Sequence, residues 1–386
     1  MSGVLIHDGR RVGHRKWSVD AVRTGHADGI MLSPFATPRV AEPRHPSAIT
    51  LASEVSDAGG EVIFDAMTHA RFLPSTNKTD FYNQWELWGA SVGVDSAAKR
   101  LDHVERVFAR QSALDCPHLA PTIQLTSPLG LDAAHALELA QVSRGLDRSC
   151  WQSLVGTRAF FESGANLDAY VGSLSSLRSP VWVLTLANEL VLDHMPDLTN
   201  IAAWAGFCRT VRSLSLRSRV IISYGDFAGL PAVAAGADTL GSGWDRAQKT
   251  FDPLAFKLNS DEGIRIPASY VTQGRLNAVL RRDAADAIER WNAVQAGVLR
   301  GGIMPRTDQE QRMHHLLQLR SAVQSVDSKS SHKGRVDELR ARYSFAQSSF
   351  DTLIARLPGI IKAQDKSVWG TSPSRVLEAY ATAEGL

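Results

Sequence analysis

An apolar run, VWVLTLA, ends in Asn188 and Glu189, an amide beside a carboxylate at the close of a segment suited to be a buried strand. The same placement recurs along the chain. Asp65 and His69 follow EVIF, and Gln124 and Thr126 close APTIQLT. Ser33 and Arg39 follow GIML, Tyr224 and Asp226 follow RVIIS, and Trp244, Asp245 and Arg246 follow DTLGSG. Carboxylates that face one another across a cavity can divide acid/base work, one ionised and the other kept protonated by its surroundings. Glu189, Asp65 and Asp226 are therefore the candidate catalytic residues. His69, Asn188, Gln124, Arg39, Trp244 and Arg246 are candidate substrate-binding groups. Helix capping competes for Ser33, Thr126 and Asp226, because short polar side chains are favoured caps. Asp65 and Glu189 directly follow apolar runs rather than opening helices, which favours a site.

The elements that must position these residues alternate. Short apolar runs at 29–32, 61–64, 120–126, 181–187, 219–223 and 237–243 are separated by stretches with helical periodicity. That alternation predicts a parallel sheet with right-handed crossovers, covered on both faces. Two helix-to-strand joints, GHADGIMLS and GADTLGSG, are alike: glycine ends a helix and Ala-Asp opens a strand. Both favour a parallel (β/α)8-type barrel over an open doubly wound sheet, with the site at the C-terminal strand ends. Six strands are read, and GIRIPASYV near Ile264 offers a seventh, so the barrel is expected to be irregular or incomplete. The barrel is expected over residues 1–265, with helix filling 151–177. After it, long amphipathic helices form an expected helical region over 266–386.

Trp85 and Trp88, in the excursion DFYNQWELWG, could stack a sugar or base over the barrel mouth. On a helix their three-residue spacing would equally place them together in the core. His314 and His315 lie in a C-terminal helix and read as surface residues. Basic clusters at Arg10, Arg11, Arg15 and Lys16, at Arg281 and Arg282, and in HKGRVDELRAR read as solvated faces or as a site for a phosphate or nucleic acid.

The chain has 386 residues, 44% hydrophobic and 21% charged, with a formal charge of +2. These values exclude global disorder and a uniformly basic surface. Cys116, Cys150 and Cys208 lie far apart, with no metal-ligand or disulfide spacing. No G-x-G-x-x-G follows a strand and no P-loop motif occurs, so neither a cofactor nor a metal is expected. No signal-peptide core and no run of about 18 apolar residues is present, and the expectation is a cytoplasmic protein with no membrane partner.

The Asn188-Glu189 pair at a strand end resembles the acid/base position of the large clan of barrel glycoside hydrolases, where Glu follows Asn after the fourth strand. YGDFAGLPAVAAGADTLGSGWD is similar to the late strands of tRNA-guanine transglycosylases. Asp238 stands in the place of the first Asp of that family's motif, but Gly241 falls where its nucleophile would be. Both likenesses imply carboxylate chemistry on a glycosidic or N-glycosidic bond of a sugar- or nucleobase-containing small molecule. The alternatives are a non-catalytic barrel serving as a binding or assembly module, with a protein partner on the C-terminal helices, and a transglycosylase-like enzyme that modifies nucleic acid.

Overall fold

The computed structural model describes residues 2–11, 13–74, 76–77, 79–188, 197–245, 248–256 and 269–386. Glu189, Arg246 and most of GIRIPASYV lie outside the described residues. Eight strands form one sheet: β1 (Gly3–His7), β2 (Gly29–Leu32), β3 (Glu61–Phe64), β4 (Gln124–Leu125), β5 (Gln152–Thr157), β6 (Val181–Ala187), β7 (Arg219–Ile222) and β8 (Thr239–Gly243). All neighbours are parallel, in the order β3-β2-β1-β8-β7-β6-β5-β4. This is the cyclic order of a (β/α)8 barrel cut between β3 and β4, an irregular curled sheet with helices around it.

Side chains alternate across the sheet with period two. Leu5, Met31, Ile63, Leu119, Val181, Val183 and Ile221 point inward and form their own apolar cluster. Val4, Ile6, Ile30, Phe64, Trp182, Leu184 and Ile222 point outward into a second core shared with the helices. An inner cluster drawn from opposite sides of the sheet requires that the sheet curl around it. The floor is closed by charge: Arg219 of β7 reaches Glu61 of β3 at 2.7 and 2.9 Å, and Asp238 at 3.2 Å.

The open seam is bridged by one side chain. Gln111, fully buried on the helix Ala97–Ala113, donates through Nε2 to Phe64 O of β3 at 2.9 Å and to Leu119 O at 3.0 Å. Its Oε1 accepts from Leu119 N at 3.1 Å. Leu119 leads toward β4 and forms a parallel bridge with Trp151, ahead of β5. A glutamine amide thus satisfies backbone groups that a complete ring would pair strand to strand.

Two strands depart from the sequence reading. β1 is a five-residue run at the very start of the chain. β5 was expected to be helix, because QSLVGT carries few apolar residues. Tertiary hydrogen bonds make that polarity tolerable: Gln152 Nε2 donates to Ala140 O and Ser153 Oγ to Ala120 O. The described end of GIRIPASYV joins no barrel strand. β9 (Tyr270–Gln273) pairs antiparallel with β10 (Ala278–Arg281), where helix was expected. Helices Arg282–Trp291, Ala293–Arg300, Asp308–Asp327, His332–Arg356 and Ser372–Glu384 follow.

The helix Asp308–Asp327 begins with a capping box between Thr307 and Glu310. Arg320 ties it to Asp28 at 2.8 Å, and Asp28 also accepts from Val4 N of β1. The C-terminal helices share the outer apolar core with the strands and their crossovers. No helix among the described residues is long and apolar enough to cross a membrane.

Candidate active site

Inward parity at the upper strand ends brings forward His7 of β1, Ser33 after β2, Asp65 after β3 and Ser223 after β7. Tyr224 follows Ser223, and its ring stacks on His7 at 3.8 Å. Its backbone N–H donates to His7 Nε2 at 3.0 Å. His7 is 3% exposed, and burial drives its pKa down to about 3. A neutral imidazole accepting at Nε2 carries its proton on Nδ1. The Tyr224 hydroxyl lies 3.9 Å from Met67 Sδ, and its pKa is raised by burial and then by the charge of Asp65.

Asp65 is 8% exposed and accepts from Met67 N–H through Oδ1 at 2.8 Å. No cation among the described residues pairs with it. Four residues on, His69 is buried, with no hydrogen bond to Nε2, and burial lowers its pKa against the opposing pull of Asp65. Met67 (φ 47°), Tyr224 (φ 55°) and Asp226 (φ 41°) all occupy the left-handed region, unusual for side chains of this kind. Such strain costs on the order of 1–3 kcal/mol per residue and clusters at functional sites.

The segment after β8 roofs this group. Phe251 forms a parallel bridge with Ala187, accepts from Asn188 N–H at 2.9 Å, and packs its ring against His69 (5.0 Å) and Tyr224 (5.5 Å). A separate cavity of about 10 Å³, with room for a water molecule, lies toward the outer core and is lined by Leu186, Asn188, Trp204, Ile222, Tyr224 and Thr250 among others.

Asp226 faces a different set of partners. Its Oδ2 accepts from Ser242 Oγ at 2.6 Å and from His315 Nε2 at 2.9 Å, with Lys249 Nζ at 3.7 Å. Thr272 Oγ1 lies 2.8 Å from His315 Nδ1. Burial pushes the Asp226 pKa up, but His315, Lys249 and Ser242 outweigh it and hold the carboxyl well below the usual range. This cluster joins β7, β8, β9 and the helix Asp308–Asp327. His315 was expected at the surface, yet it is 4% exposed. Helical periodicity places it with Leu316 and Leu319 on the packed face, and that was the available signal.

The remaining expected residues divide by location. Asn188 accepts from Arg158, which also pairs with Asp197 at 2.8 Å. Gln124 pairs in register with inward-facing Val155, with Oε1 unpartnered. Arg39 reaches Glu86 at 3.3 Å. Trp85 is 1% exposed, donates to Thr37 O and stacks on Phe64. Trp88 stacks on His103 at 3.8 Å. Trp244 is buried and donates to Ser18 Oγ at 2.9 Å. These three indoles pack against the protein: apolar surface surrounds the rings, and their N–H groups have three acceptors, Thr37 O, the Tyr82 hydroxyl and Ser18 Oγ. Asp65 and His69 lie close together, with the Phe251 ring against His69, whereas the Asn188 side chain turns to Arg158 and Asp197 and Arg39 and the three indoles have other partners. Glu189 and Arg246 lie outside the described residues. Tyr224 was read at a strand end but not among the candidate residues, and His7 was not singled out, although it ends the short apolar run GVLI. Among the described residues no cluster of His, Cys, Asp and Glu could hold a metal ion.

No family model matches the chain, and no curated protein matches it. Solved structures do. Active domain 2 of a chitinase from Pyrococcus furiosus, solved as catalytic-site mutants, is 11% identical over 64% of this chain and 84% of its own, with a TM-score of 0.36. A probable tagatose 6 phosphate kinase from Sinorhizobium meliloti 1021 is 12% identical over 100% of this chain and 98% of its own, with a TM-score of 0.32. A xylose isomerase-like TIM barrel/4-hydroxyphenylpyruvate dioxygenase fusion protein is 12% identical over 93% of this chain and 46% of its own, with a TM-score of 0.32. At these scores the description of the chain as an irregular (β/α)8-type sheet rests on its own strand order and inner core.

Proposed function

We propose that the protein is an enzyme that breaks or transfers a glycosidic or N-glycosidic bond at the upper end of the sheet, with Asp65 and Glu189 as its carboxylates. The observation that carries this reading is Asp65 itself. It is a nearly buried carboxylate with no pairing cation among the described residues, beside the orphaned Nε2 of His69, between two left-handed residues, Met67 and Tyr224. Asp226 takes a lesser part, because Ser242, His315 and Lys249 already satisfy it. Asp65 would act as base or nucleophile and Glu189, the residue after Asn188, as the acid, with His69 donating to a substrate hydroxyl.

A second reading, a barrel that binds without catalysis, is favoured by Phe251, whose ring fills the mouth. A panel of aryl glycosides and nucleosides separates the two. The enzyme reading expects turnover that drops at least about a hundredfold in Asp65→Asn and in Glu189→Gln, with unchanged thermal melting. No cleavage of any member by the wild-type protein favours the binding module, and activity retained in both variants overturns the roles given to Asp65 and Glu189.

A further inference from the structure

A groove of about 170 Å³ lies between the helices Ala293–Arg300 and His332–Arg356, far from Asp65 in the chain. Gln295 and Leu299, four residues apart, present one face of the first helix to it. Phe345, Ser349 and Leu353 repeat the same spacing on the second. Leu299 and Leu353 are buried and form the floor, while Phe345 is exposed at the rim. Trp291 closes one end. It is the last residue of the helix Arg282–Trp291, and Asn292 turns the chain there, capping the next helix by accepting from Gln295 N–H at 3.0 Å.

The polar groups at this groove are uncommitted. The Trp291 indole N–H, the Gln295 amide and the Ser349 hydroxyl make no hydrogen bond to any described residue. Trp291 and Phe345 make no ring contact with each other among the described residues, so neither wall is closed by the other. No charged residue is among the described lining. A charged ligand would give up its hydration there without gaining an ionic partner. Two aromatic walls suit a flat ring, and the Gln295 amide offers a donor and an acceptor side by side, as an amide edge requires. A cavity of about 150 Å³ takes up one benzene, so this groove has room for one substituted ring and not for a polymer strand.

We propose that the groove is a binding site for a small uncharged planar molecule, an aromatic ring that carries a carboxamide or lactam edge. The ring lies between Trp291 and Phe345 above Leu299 and Leu353, and the amide edge pairs with Gln295.

Titration of the full chain with benzamide, benzoate and cyclohexanecarboxamide tests the site, with the Trp291 indole N–H resonance followed by NMR. Trp291→Phe assigns that resonance by removing it. Benzamide is expected to shift it saturably. Benzoate has the same shape with a charge, and cyclohexanecarboxamide has the same edge without a flat ring. Each is expected to bind at least about tenfold more weakly, since one brings an unpaired charge and the other loses ring contact. Gln295 is only half-buried, so Gln295→Leu should leave the melting temperature unchanged while weakening benzamide about tenfold. Phe345→Ala, at an exposed position, should weaken it as well. The proposal is overturned if benzamide leaves the resonance in place, if either control compound binds as tightly, or if either of these two variants binds like the wild type. It is equally overturned if the resonance moves on dilution of the protein alone, because a second copy of the chain would then fill the groove. None of these readouts depends on Asp65 or Glu189, so failure here and failure of the proposed catalysis are separate results.

Discussion

Asp226 occupies a backbone conformation that aspartate and asparagine tolerate better than other non-glycine residues, and it turns one carboxylate oxygen to Ser242, His315 and Lys249. Asp226→Asn therefore keeps both the shape and the left-handed backbone while removing the charge. Lys249 and His315 then face a neutral amide in a buried setting. Breaking one side of a buried charged group costs about 3 kcal/mol, so the chemical-denaturation midpoint should fall by a corresponding amount. An unchanged midpoint would show that the cluster contributes nothing to holding the helix Asp308–Asp327 against β7 and β8.

At the scale of elements, the seam between β3 and β4 depends on a residue from neither strand. Gln111→Leu preserves volume but strands Phe64 O, Leu119 O and Leu119 N inside the protein. Each buried polar group left without a partner costs roughly 1–3 kcal/mol, so a loss of about 3 kcal/mol or more is expected. Hydrogen exchange locates the effect. The amide of Leu119 should exchange faster in the variant, while Leu154 and Leu184, deep in the β5–β6 pair, should stay protected. Equal loss of protection across the sheet would mean that the seam is not a local weak point.

For the molecule as a whole, buried histidines set the response to acid. Burial lowers the pKa of His7 to about 3 and of His103 to about 4. Their folded values lie below the unfolded value near 6.5, so only the unfolded chain takes up these protons as pH falls through that window. Each histidine then removes about 1.4 kcal/mol of stability per pH unit. Asp8 works in the opposite sense. Burial raises it to about 6, so the folded state binds its proton first on acidification and offsets one histidine. The remainder is a loss of at least about 1.4 kcal/mol per pH unit between pH 6 and pH 4. Urea melts at pH 7, 6 and 5 measure it, and stability that holds steady or rises toward pH 5 contradicts it.

What the sequence by itself determined is what its local patterns encode. Apolar runs bounded by glycine and polar residues place six of the eight barrel strands, because a strand buried on both faces needs such runs wherever it occurs. The same runs put Asp65 at a strand end, where the period-two alternation that turns Ile63 inward turns Asp65 inward as well. β5 was not legible, because Gln152 and Ser153 become acceptable in a strand only when Ala140 O and Ala120 O arrive to accept from them. Only the tertiary structure decided that Gln111 would bridge the seam, that Trp85 and Trp88 would pack rather than form a platform, that Trp244 would meet Ser18, and that His315 would meet Asp226. Most of these pairings join residues far apart in the chain, such as Gln111 with Phe64, Trp244 with Ser18 and His315 with Asp226. No period or motif records such pairings, and they form because a buried donor, acceptor or ring must find its partner wherever the fold delivers one.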